Sequence, residues 1–225
     1  MGIDIGPIRA TDTLALHFDA GNTKSYPGSG TTVIGVVGGI GFTLNNGVGF
    51  GTTGTNYFTF DGTNDSILFT VPNYGSTMTL EFWARVKSFA NGMIYGFYLY
   101  DVWANSGSLG FNTAASDIYG LTSTQVTNLG LLNQWKHYVF EMRTDVSYSN
   151  NKIYINGQNQ SLSQVAGTET AGNRTFNNGN GRIACWLYSE SFYLSMDIAQ
   201  FQVYNRSLTA SEILQNYNAT KGRYK

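Results

Sequence analysis

The chain has almost no cysteine and little charge. Cys185 is its one cysteine in 225 residues, and Asp, Glu, Lys and Arg together make up 12%. A lone cysteine excludes an internal disulfide, and no Cys/His zinc spacing occurs. The neighbours Ile183 and Trp186 suggest a strand, so a buried, inert thiol is expected. With 13 basic and 14 acidic side chains the net charge is −1, which leaves no electrostatic footprint for nucleic acid. No run of Lys or Arg suits an anionic membrane surface. No apolar stretch approaches ~18 residues, so no membrane span is expected. The first residues show no basic stretch followed by an apolar run, so no secretory signal is expected there.

Catalytic patterns are missing as well. A two-carboxylate glycoside hydrolase that draws its acids from one strand carries them at alternate positions, because alternation brings them to one face. Glu81 stands alone on its strand, Glu141 is followed by Met142 and Arg143, and Asp197 has no acid two residues away. His17 and His137 both fall on predicted strands and read as framework residues rather than general bases. No Gly-x-Ser-x-Gly elbow occurs. The glycine run near Gly38 lacks the Gly-Lys-Ser/Thr ending of a phosphate loop.

What is present is a packed, strand-rich globule. Hydrophobic residues make up 42% and aromatics 15%, enough to bury a sizeable core in one domain. Charge is well below the usual ~25%, so solubility rests on Asn, Gln, Ser, Thr and Gly. Leu14, Leu16 and Phe18 alternate as a first strand, and Ile67, Phe69 and Val71 share a face. Met78, Leu80, Phe82, Ala84 and Val86 share the face of a longer strand, with Glu81, Trp83 and Arg85 on the other side. Tyr138, Phe140 and Met142 repeat the pattern, and so do Phe192, Leu194 and Met196. Ile153 and Ile155 precede Asn156-Gly157, a type I′ hairpin signal. Turn signals across 100–130 are poor. Residues 1–12 lack periodicity and read as an N-terminal arm, either loose or anchored on a neighbouring subunit, and 13–225 read as a single domain.

Near the end, Ala199, Phe201 and Val203 alternate with Gln200, Gln202 and Tyr204, and the strand runs into a helix. Thr209 with Glu212 fits a capping box, and Leu208 with Ile213 fits a hydrophobic staple. Ile213, Leu214 and Tyr217 form the apolar stripe, and Gly222 is the expected stop.

Read in order, this segment, Phe58-Thr-Phe-Asp-Gly-Thr-Asn-Asp-Ser-Ile, Met78-Thr-Leu-Glu-Phe-Trp-Ala-Arg-Val and Trp135-Lys-His-Tyr-Val-Phe-Glu-Met resemble the laminin-G-like, concanavalin A-like jelly rolls. The opening Leu14-Ala-Leu-His-Phe-Asp-Ala-Gly-Asn and the ending Asn216-Tyr-Asn-Ala-Thr-Lys-Gly-Arg-Tyr resemble versions found in bacteriophage structural proteins. Val33-Ile-Gly-Val-Val-Gly-Gly departs from that phage-type pattern, which has a Ser-Gly-Asn-Gly-Asn loop there. The resemblance implies an all-β, two-sheet antiparallel jelly-roll sandwich with one short C-terminal helix. It also implies a non-enzymatic virion component, made in the host cytoplasm, that contacts capsid or tail proteins as a homo-oligomer. The alternative is a carbohydrate-binding adhesion module for host or environmental glycans.

Two groups of residues are candidates for binding. Aromatic faces stack on sugar rings while amides and carboxylates bond hydroxyls. Tyr98, Tyr100, Asp101, Trp103 and Asn105 form one such stretch, and Trp186 with Tyr188 a second; packing in the core or in a subunit contact is the competing reading. The resemblance also raises calcium as a cofactor, because such domains often bind it at a rim. Asp61, Asn64 and Asp65 supply hard oxygens close together. The same residues form turns by bonding their own backbone.

Overall fold

The computed structural model describes residues 9–97, 100–113, 116–169, 175–176, 179–186 and 190–224. The strands in chain order are β1 (Leu14–Asp19), β2 (Thr32–Ile34), β3 (Gly41–Asn45), β4 (Gly49–Gly51), β5 (Tyr57–Asp61), β6 (Ser66–Val71), β7 (Thr77–Val86), β8 (Asn91–Gly96), β9 (Asp101–Asn105), β10 (Ser108–Asn112), β11 (Ile118–Leu121), β12 (Trp135–Arg143), β13 (Lys152–Ile155), β14 (Gln158–Asn159), β15 (Ser163–Ala166), β16 (Gly179–Ile183) and β17 (Ser195–Tyr204). Helices α1 (Ser123–Asn128) and α2 (Ala210–Thr220) complete them. Sheet I has eight strands, ordered β14-β13-β12-β7-β17-β5-β4 with β1 also on β17. Sheet II has nine, ordered β15-β11-β10-β9-β8-β16-β6-β3-β2. Every pairing within the two sheets is antiparallel, which gives the two-sheet sandwich that the alternating residues imply and agrees with the jelly roll that the family resemblance implies.

The inward residues form an aromatic core. Phe82 stacks between Tyr138 and Phe140, at 5.3 and 5.9 Å between ring centroids. Across the layer Phe201 meets Phe69 edge-on at 5.6 Å, and Phe140 meets Phe111 in the same way at 5.6 Å. Such edge contacts suit the ring quadrupole and add to area burial.

β17 is one strand with a change of phase. Met196 and Ile198 face the core, and so do Phe201 and Val203, an even series followed by an odd one. The register against β7 shifts between Ile198 and Gln200, so the bulge absorbs one residue and keeps both series inward. The predicted alternation from Phe192 starts too early, since the strand begins at Ser195 and Phe192 lies in the preceding loop.

The outward face of sheet I is covered by α2, which buries polar groups between two apolar clusters, one of Val139, Tyr154, Leu208 and Ile213 and one of Trp83, Ala199 and Tyr224. Glu81 is 2% exposed, accepts from the Asn216 amide at 2.7 Å and meets the His137 imidazole at 2.9 Å. Trp83 donates its indole N–H to Thr220 at 2.8 Å. Asn216 also takes the Ala10 N–H at 2.7 Å, and Tyr204 donates to the Ala10 carbonyl at 3.0 Å. Arg9 bonds Gln200 at 2.8 Å. The described part of the N-terminal arm is therefore seated on its own domain. Gly38, at φ +80°, lets the following chain press against β1: a Cβ there would stand 2.4 Å from the Ala15 carbonyl oxygen.

The helix differs from expectation in two details. Its buried stripe is Ile213, Asn216 and Thr220, while Leu214 is 40% exposed. Asn216 and Thr220 face inward because polar partners await them on the sheet, Glu81 and Tyr204 for the first and the Trp83 indole for the second. Gly222 does not act as a left-handed stop; the chain tightens into a 3₁₀ turn over Lys221–Arg223. The short α1 lies inside the 100–130 stretch, where turn signals are poor. It carries its own capping box, Thr122 with Gln125.

Candidate functional site

β8, β9 and β10 lie side by side in sheet II and present their alternate residues outward. Asp101, Trp103 and Asn105 share the outward face of β9, while Val102 and Ala104 enter the core. Trp103 pairs across strands with Met93 on one side and Gly110 on the other. Its indole N–H donates to Asn91 at 3.0 Å. The loop before β17 folds back over this face. Met93 donates its N–H to the Phe192 carbonyl, and Trp186 to the Ser191 carbonyl, each at 2.8 Å. The Phe192 ring then stands edge-on to both Trp103 and Trp186, at 5.9 and 5.8 Å.

The result is a hollow of about 150 Å³ lined by Met93, Trp103, Asn112, Ser116, Trp186 and Phe192. Two aromatic groups that are remote in the chain are thus brought to one place. The backbone around it is strained. Ser116, Ala184, Glu190 and Phe192 all have positive φ, at 57°, 69°, 45° and 55°, with no glycine among them. Each such residue costs about 1–3 kcal/mol and persists where the surroundings impose it, often at binding sites.

Asp101 supports the hollow from below. It is 1% exposed and accepts the Phe97 N–H at 2.6 Å and the Trp186 indole N–H. Burial pushes its carboxyl up to about 8, against these two stabilising bonds.

The other predicted residues are placed elsewhere. Tyr100 is 2% exposed and faces the core, with its ring on Phe111 and Phe176 and its hydroxyl on the Asn151 amide. A direct sugar contact is closed to it. Asn105 is half-buried at the end of β9, where its side-chain oxygen accepts from Ser106. Tyr98 and Tyr188 lie outside the described residues. Met93, Asn112, Ser116 and Phe192 join the lining without any local signal in the sequence. The alternation that puts Met93 beside Trp103 depends on pairing β8 with β9, which the weak turn signals there conceal.

The Asp61 and Asp65 carboxylates are engaged within their own turn, and the Asn64 backbone carbonyl is engaged by the turn between β3 and β4. Asp61 accepts the Thr63 N–H at 2.7 Å, Asp65 accepts the Asp61 N–H at 3.2 Å, and the Asn64 carbonyl accepts from the Asn46 amide at 2.9 Å. A calcium ion there would compete with these bonds for the same side chains. Among the described residues no group of three or more His, Cys, Asp or Glu side chains converges to hold a metal.

A larger cleft of about 570 Å³ opens beside α1, lined by Phe89, Val126, Leu131 and the half-exposed Leu132. Lys87 borders it, but its amine is committed to Asp197 at 2.6 Å and Thr59 at 2.9 Å.

Residues 52–214 match the family model of the concanavalin A-like lectin/glucanases superfamily, in its laminin-G form. The chain belongs to this family. No curated protein matches it in sequence. Among solved structures it resembles the receptor-binding domain of botulinum neurotoxin C/D mosaic serotype, with TM-score 0.65, 12% identity and coverage of 93% of this chain and 52% of that one. It also resembles the botulinum neurotoxin serotype D ligand-binding domain in complex with N-acetylneuraminic acid, with TM-score 0.66, 12% identity and coverage of 93% and 51%. A Trypanosoma rangeli sialidase gives TM-score 0.67 and 14% identity, over 97% of this chain and 35% of the enzyme. The chain therefore spans about half of each toxin domain and about a third of the sialidase. At these identities the likeness is one of fold.

Proposed function

We propose that this chain is a non-catalytic carbohydrate-binding module whose contact site is the hollow on sheet II. The observation that carries the reading is the convergence of Trp103, Trp186 and Phe192 over a preorganised floor, amid four strained backbone positions. Aromatic walls with a few placed polar groups suit a sugar, apolar on its face and polar at its rim. The folds of a toxin ligand-binding domain described with N-acetylneuraminic acid and of a sialidase agree with that reading. The absence of catalysis is argued from the acids. Glu81 is sealed beneath α2, and Asp197 is 0% exposed and held by Arg85 and Lys87. On the resemblance of its opening and closing blocks to phage proteins, we extend the proposal to a virion made in a host cytoplasm. There the module, in several copies beside capsid or tail proteins, attaches the particle to a glycan.

The test is retention on a glycan array. The intact protein is expected to be retained, and Trp186→Ala to lose retention at least about tenfold while its melting temperature stays within a few degrees. Equal retention of the folded variant would overturn the assignment.

A further inference from the structure

We propose that the hollow takes the acetamido group of an N-acetylated amino sugar, an inference that rests on the carbohydrate-binding reading above. Size comes first. Pockets that enclose a whole small ligand run to about 300–1,000 Å³. This one is about 150 Å³, room for a substituent of a few heavy atoms with the sugar ring lying across the mouth. The walls come second. The partly buried Trp186 and Phe192 rings, with the small accessible edges of Trp103 (7% exposed) and Met93 (4% exposed), offer a methyl group apolar surface on several sides.

The polar group settles the chemistry. Asn112 is 6% exposed, and its amide nitrogen donates to the Asp117 carbonyl at 2.9 Å and carboxylate at 3.2 Å. Asp117 is fully buried and is braced in turn by Thr113, whose N–H and hydroxyl reach it at 3.0 and 2.6 Å. The Asn112 carboxamide is thereby locked with its oxygen as the remaining acceptor, and it asks for a donor. An acetamido N–H supplies the donor, and its methyl fills the apolar end. The exposed Ser116 hydroxyl is at hand for the carbonyl. A 2-hydroxy sugar brings a donor but leaves the apolar walls unfilled. A 2-amino sugar brings a cation into a hollow whose lining holds no carboxylate.

The experiment is an NMR titration of the intact protein with methyl glycosides of 2-acetamido, 2-hydroxy and 2-amino sugars in the gluco and galacto series. The acetamido glycosides are expected to bind about tenfold tighter than both others, as a site that meets both the donor and the methyl requires. Saturation transfer from the protein should be strongest at the acetyl methyl. Asn112→Ala should bring the acetamido and hydroxy glycosides to near parity. The wild-type saturation map decides the matter even where that variant does not fold. Equal affinity of acetamido and hydroxy glycosides at Trp103 and Trp186, or a map centred on ring protons, would overturn this inference and leave carbohydrate binding standing. No shift with any sugar on a wide array would overturn both.

Discussion

Asp101 shows how much one buried side chain decides. It is held away from water beneath Trp186, and its carboxyl is raised from 3.8 to about 8 by desolvation. The folded state therefore holds a proton that the unfolded state has released between those values, so this residue's contribution is full below pH 3.8 and is lost as pH rises through about 8. His17 works in the opposite sense. Burial and then the nearby Arg9 guanidinium lower it from 6.5 to about 4, so its contribution is present above pH 6.5 and lost as pH falls through about 4. The two slopes oppose each other across the acidic range. Asp101→Asn is expected to leave stability rising with pH up to about 6.5 and nearly flat from there to 8, as read by thermal melts at a series of pH values. A persistent fall between 6.5 and 8 in the variant would place that proton elsewhere. In sequence, Asp101 was legible as part of a polar-aromatic stretch. Its burial was not, because nothing local announces that the 190–194 loop folds over β8 and β9.

At the scale of elements, the strands with a uniform period were legible and the irregular ones were not. β7 and β12 alternate without interruption, and their observed faces are the predicted ones. β17 was read in two pieces because the Ala199 bulge changes its phase, a feature that only pairing with β7 reveals. The Thr209 capping box and its staple were legible because both partners are local. Thr209 accepts the Glu212 N–H at 3.2 Å, Glu212 accepts the Thr209 N–H at 2.8 Å, and Arg206 reaches Glu212 at 2.6 Å. Thr209→Ala should cost about 1 kcal/mol in denaturant unfolding. No measurable loss would mean that α2 is held by its contacts with sheet I alone. The Asp61–Asp65 loop gives a second element-level prediction. Its two carboxylates accept backbone N–H groups of the same turn, so a chelator is expected to leave the melting temperature unchanged; a clear drop would establish calcium there.

The whole molecule puts different chemistry on its two outer faces. Sheet I is capped by a helix over a buried polar layer, with Glu81, His137 and Asn216 closed to solvent. Sheet II keeps an aromatic hollow at its surface. Composition alone could not assign these faces, since Trp and Asn occur on both, as Trp83 and Asn216 under α2 and as Trp103 and Asn112 at the hollow. The direct measurement follows from that asymmetry. The chain has four tryptophans, two under or beside α2 (Trp83 and Trp135) and two at the hollow (Trp103 and Trp186). Their four indole N–H signals can be followed by NMR as a glycan selected from an array is added. The account predicts saturable shifts of the Trp103 and Trp186 signals with Trp83 and Trp135 unmoved. Saturable shifts confined to Trp83 and Trp135 would contradict it.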